Sequence, residues 1–136
     1  MKKIQAIAIV VFGIVPVVGV SIAIMAGTRP INVDINDDNL RVRGMYGITL
    51  HFDDILSVEL LEESMATLRP GTRRNGIGTS NTLRGHFHAG LLHVQNPAVG
   101  PTIRISRPGS GPLFISKNDA QDTRHLYESI LNSISY

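Results

Sequence analysis

From Ile4 to Gly27 the chain runs for 24 residues without a charged side chain, and Gln5 and Ser21 are its only polar exceptions. At roughly 1.5 Å per helical residue that run reaches about 36 Å, against about 30 Å of bilayer hydrocarbon, so a single tilted transmembrane helix is expected. Pro16 near its middle removes a backbone donor, and a kink is expected there because a membrane helix re-satisfies the freed carbonyl locally. A cleaved signal peptide is the competing reading, since Met1-Lys2-Lys3 forms a positive n-region and Ser21-Ile22-Ala23 resembles a small-x-small cleavage site. The apolar run exceeds the roughly 7–15 residues of a signal h-region and continues past that site, which favours an uncleaved anchor.

Lys2 and Lys3 argue for a cytoplasmic N-terminus, while Arg29, Arg41 and Arg43 follow the other end. The expectation leans toward an extracytoplasmic domain held in the cell membrane by a single pass. Gly19, Ala23 and Gly27 recur every four residues, a spacing that lets two helices approach and is compatible with a homo-oligomer. The chain thus divides into an anchor over residues 1–28 and one domain over residues 29–136, long enough for a single modest core.

The formal net charge of +2 belongs to Lys2 and Lys3, because the remaining 11 basic side chains are matched by 11 acids. A neutral domain in a chain with only seven aromatics lacks the cationic face and stacking platforms of a nucleic-acid binder, so no nucleic-acid partner is expected. The absence of cysteine excludes disulfides and thiolate chemistry and assigns no compartment.

Beyond Arg29-Pro30, apolar and polar residues alternate. Ile31, Val33 and Ile35 lead into the turn Asp37-Asp38-Asn39, followed by Leu40 and Val42, which reads as a hairpin. Tyr46-Gly47 turns the chain before Ile48, Leu50 and Phe52, and Ile55, Val58, Leu60 and Leu61 mark a fourth strand. Between Glu63 and Gly85 the composition changes to Gly, Thr, Asn and Arg with few apolar residues, and a long loop is expected, the first place to look for a site. Strands resume at His86 to His88, Leu91 to Gln95, Thr102 to Ser106 and Leu113 to Ser116, making seven or eight. Asn118 with Gln121 suggests a capping box, and Thr123, Leu126, Tyr127, Ile130 and Ile134 follow at helical spacing.

Many short strands followed by one helix suggest a bent sheet or partly open barrel capped by that helix. The order of Tyr46-Gly47, Phe52-Asp53-Asp54-Ile55, Ser57-Val58-Glu59-Leu60, Arg73-Arg74-Asn75-Gly76-x-Gly78, Leu83-Arg84-Gly85-x-Phe87, Leu113-Phe114-Ile115-Ser116 and Asn118-Asp119 resembles the bacterial pleckstrin-homology-like (PH-like) domains across roughly residues 30 to 134. The resemblance implies a mainly β fold of about seven strands with one C-terminal helix, often attached to membrane helices. It implies no reaction and supplies no catalytic residue.

No acid occurs between Glu63 and Asp119, while Arg69, Arg73, Arg74, Arg84, Arg104, Arg107 and Lys117 do; Thr28 to Leu68 holds eight acids against three arginines. Such segregation either pairs the two halves with each other or sets the basic part against an acidic partner or lipid phosphates. Gly71 to Ser80 offers glycine amides and arginine forks to an anion, but Gly76 is followed by Ile77 where a Walker A loop has Lys and Ser/Thr, and a purely structural glycine loop is the plainer reading. His86, His88 and His93 lack neighbouring acids to complete or orient a zinc site. Adjacent Asp53 and Asp54 point to opposite faces of an extended chain, and Ser110 sits in a Gly-Ser-Gly hairpin tip rather than a nucleophile elbow.

The expectation is therefore a membrane-anchored, non-enzymatic binding or scaffolding module without metal or cofactor, engaging a protein partner through its basic loop. Its expected contact residues are Arg69, Arg73, Arg74, Asn75, Gly76, Gly78 and Arg84. Anionic-lipid headgroup recognition is the alternative, and an enzyme with an unrecognised site the third.

Overall fold

The computed structural model of the protein describes residues 30–134. The expected anchor over residues 1–28 lies outside the described residues, and among those described no helix is long and apolar enough to cross a membrane. The chain forms β1 (Val33–Ile35), β2 (Asn39–Val42), β3 (Ile48–His51), a 3-10 turn (Phe52–Asp54), β4 (Ser57–Leu61), a short helix α1 (Met65–Leu68), β5 (Arg73–Gly78), β6 (Thr82–Phe87), β7 (Gly90–Gln95), β8 (Thr102–Ser106), β9 (Leu113–Ser116) and α2 (Ala120–Ile134). The fold is mainly β, as expected, but its nine described strands divide into two sheets that do not close into a barrel.

The smaller sheet is the meander β1-β2-β3. Its first turn is held by the Asn36 amide N–H donating to the Asn39 carbonyl at 2.8 Å, and by the two asparagine side chains bonding each other at 2.8 Å. Short polar side chains that bond locally are what such a turn requires. Along β2 the alternation of buried Leu40 and Val42 with exposed Arg41 aims one face inward.

The larger sheet has the order β4-β8-β9-β7-β6-β5. All neighbours are antiparallel except β7 and β9, which pair in parallel from Leu91–Leu113 to Val94–Ser116. Its inner face carries Leu91, Ile103, Ile105, Leu113 and Ile115, packed with Leu40, Val42 and Leu50 of the small sheet and with Leu126 and Ile130 of α2. A second cluster of Met65, Phe87, Leu92, Val94 and Phe114 lies on the outer face, with Leu61 and Leu68 packed against it. Burial on both faces explains why β7 and β9 read as continuous apolar runs instead of alternating.

The long loop expected from Glu63 to Gly85 is not a loop. It holds α1, β5 and most of β6. Ser64 caps α1 by accepting from the Thr67 amide at 3.2 Å, and Met65, only 1% exposed, anchors that turn in the outer cluster. β5 escapes a period-2 reading because it is an edge strand, mostly exposed, whose glycines show no inside or outside. The helix cap also differs by one residue: Asp119, not Asn118, accepts from the Asp122 amide at 2.8 Å.

Candidate binding surface

The β5–β6 hairpin places the expected contact residues. Register shifts between Arg73 and Asn75, so Arg74 is the extra residue of a β-bulge. A bulge twists the edge and re-aims the side chains beside it. Arg73 lies toward the bare backbone of Gly78, where a Cβ atom would stand 3.8 Å from its Cδ and Nη1. Arg74 instead lines a cleft of about 300 Å³ with His86, His88, Leu91, Arg107 and Ser110.

Arg107 follows β8, and its Nε donates to the Gly111 carbonyl at 3.0 Å across the β8–β9 turn. Partial burial pushes its guanidinium below its ordinary value without bringing deprotonation into reach. That Arg74 and Arg107 line one cleft depends on long-range topology, since β9 must lie beside β7 for the β8–β9 turn to come near the β5–β6–β7 strands. Nothing local in the sequence signals it.

Asn75 faces the turn between β2 and β3, where its Oδ1 accepts from the Tyr46 hydroxyl at 2.9 Å. Gly76 sits opposite Gly85, and both have positive φ, +143° and +123°. A Cβ on Gly76 would lie 2.2 Å from the Arg84 carbonyl oxygen, and one on Gly85 2.4 Å from that of Asn75, so both glycines serve the hairpin itself. Arg69 ends α1 at φ +62° and is exposed.

Arg84 departs from its expected place among the surface contacts. It is 1% exposed, aligned with His93 on β7, and lies beneath Gly44, where a Cβ would stand 3.6 Å from its Nη1. Burial lowers its guanidinium below the ordinary value. His93, fully buried, has Nε2 2.9 Å from the Tyr46 carbonyl oxygen. A carbonyl only accepts, so Nε2 carries the proton and Nδ1 remains a buried lone pair without a hydrogen-bond partner. Burial pushes this imidazole down to about 4, helped by the nearby Arg84 and His86 and opposed by the Tyr46 hydrogen bond. Arg84 and His93 therefore underpin the β2–β3 turn. The three histidines do not converge: His86 meets Tyr46 edge-on at 6.0 Å, His88 lies beyond the end of β6, and His93 is interior. Among the described residues no three His, Cys, Asp or Glu side chains group as metal ligands.

Internal pairing accounts for part of the charge segregation. Asp34 meets Arg43, Glu59 meets Arg104 at 2.8 Å, and Glu62 meets Arg124 at 2.6 Å. Among the described residues Arg69, Arg73, Arg74 and Arg107 have no carboxylate at salt-bridge distance. Arg73 and Arg74 are exposed on an edge strand, and no acid lies anywhere in β5 to β9. Comparisons with protein-family models, curated proteins and solved structures found no match.

Proposed function

We propose that this protein is a membrane-anchored, non-enzymatic PH-like binding or scaffolding module whose basic β5–β6 edge engages an acidic protein partner. The observation that carries the reading is the set of arginines at that edge, Arg73 and Arg74 above all, left without a carboxylate partner in a region that contains no acid. Uncompensated charge of one sign steers and selects an oppositely charged partner more than it stabilises a fold. The anchor rests on the uncharged run from Ile4 to Gly27 and the PH-like assignment on the motif order over residues 30 to 134, alongside a β-rich domain with a terminal helix. An extracytoplasmic placement of the domain belongs to the same proposal.

The test is a photo-crosslinking residue at exposed Thr72 of the full chain in its native membrane. Crosslinks should reach acidic segments of protein and be suppressed by Arg73→Glu with Arg74→Glu. Crosslinks that survive the charge reversal unchanged overturn the reading.

The cleft lined by Arg74 and Arg107 favours a second reading, recognition of anionic-lipid headgroups, because two guanidinium forks, one from the β5 bulge and one from the β8–β9 turn, suit phosphate oxygens. It predicts salt-sensitive binding to anionic vesicles, and equal sedimentation with neutral vesicles removes it.

A further inference from the structure

β5 ends the order of the larger sheet, with β6 on one side and no strand on the other among the described residues. The Thr79 amide donates to the Thr82 carbonyl at 2.8 Å, which marks that pair as hydrogen-bonded. Antiparallel pairs alternate, so Ile77–Arg84 is a bonded pair and Gly78–Leu83 is not. Gly78 consequently directs its N–H and C=O away from β6, toward the open edge. An edge of this kind is a template for another strand.

Gly78 also lacks the reason that its neighbours have for being glycine. Its φ is not positive, and a Cβ there would meet nothing nearer than 3.7 Å, an ordinary contact. Gly76 and Gly85 are glycine because the hairpin leaves no room for anything else. Gly78 is bare without any internal need, and a bare strand position is where another backbone can approach closely.

Charge then selects which backbone. A second copy of β5 laid along the same edge would gather two sets of Arg73 and Arg74 with no acid between them, so self-pairing is disfavoured. Arg73 leans along the edge toward Gly78, while Arg74 turns into the cleft beside His86. A strand carrying acidic side chains meets one guanidinium before the bulge, at Arg73, and another on the bulge residue Arg74.

We propose that the open edge of β5 takes up an extended acidic segment of a partner protein as an additional strand, with the outward backbone of Gly78 supplying ladder hydrogen bonds and Arg73 and Arg74 selecting for acids. The inference rests on the acidic-partner reading above and specifies how that partner is held.

The test uses the full chain in uncharged detergent with a blocked hexapeptide alternating glutamate and valine, and the same peptide with lysine in place of glutamate. Hydrogen exchange at the Gly78 amide should slow about tenfold or more with the glutamate peptide and stay unchanged with the lysine peptide. Gly78→Pro removes the outward donor at an edge position where proline is tolerated, and should weaken glutamate-peptide binding at least about tenfold with the unfolding midpoint retained. Should that variant fail to fold, Arg73→Ser with Arg74→Ser serves instead, with the same loss of affinity and of its salt dependence. Equal protection by both peptides, protection by anionic vesicles but not by peptide, or binding indifferent to both variants overturns the inference. Charge-sensitive crosslinks to acidic proteins with no effect of Gly78→Pro overturn strand addition alone, whereas charge-insensitive crosslinks overturn the broader reading.

Discussion

Among the described residues, His93 carries a clear pH-sensitive contribution. Its value in the folded protein, about 4, lies below the ordinary 6.5, so between those limits the unfolded chain binds more protons than the folded one. Stability is therefore full above pH 6.5 and falls as the pH drops toward 4, by up to about 3 kcal/mol. Urea unfolding across that range should show the fall, and His93→Asn, which stays neutral throughout, should flatten it relative to the parent chain. A pair of glycines makes the complementary point. Gly76→Ala forces a Cβ against the Arg84 carbonyl at positive φ and should cost about 1–3 kcal/mol, while Gly78→Ala should fall within about 0.5 kcal/mol of the parent in the same assay. Neither the burial of Arg84 and His93 nor the difference between these glycines is legible in the sequence. Arg84 is in phase with exposed His86 on the same strand, and only the turn carrying Gly44 and Tyr46, folded over from the other sheet, separates the buried residue from the exposed one.

At the scale of the element, legibility follows which faces are covered. β1 to β3 and α2 are half-buried and show their period, so Leu40 and Val42, or Leu126 and Ile130, point to the core from the sequence alone. β5 has no covered face to pattern it, and its Arg, Asn and Gly residues read as loop although the strand runs alongside β6 on either side of the Arg74 bulge. The outer cluster was equally hidden, because Met65 and Leu68, the residues that cover it, lie in a segment that looks unstructured. For α2, Ile130→Ala removes a fully buried side chain from the inner core and should cost about 2–5 kcal/mol, and Asp119→Ala should cost about 1 kcal/mol through the lost cap. Thermal or urea unfolding of both variants tests whether the helix is held mainly by its packing.

For the whole molecule, the segregation of acids and arginines was legible, but its resolution was not. Glu59–Arg104 ties the acidic half to the basic stretch and Glu62–Arg124 ties it to α2, while Arg73, Arg74 and Arg107 remain for other ligands, a division set by strand order and not by composition. A double-mutant cycle on Glu59 and Arg104, both partly exposed, should give a coupling of about 0.2–1 kcal/mol, too little to account for the arrangement as a stability device. The strand order also governs how the protein comes into being. β9 leaves the ribosome last among the strands, yet it occupies the middle of the larger sheet between β8 and β7. Until it arrives, β7 and β8 each expose an apolar strand with an open edge, the condition in which chains aggregate or attract chaperones and proteases. Synthesis ending just before Leu113 would therefore yield a sheet split through its centre rather than a slightly shorter domain, and quality control would discard it.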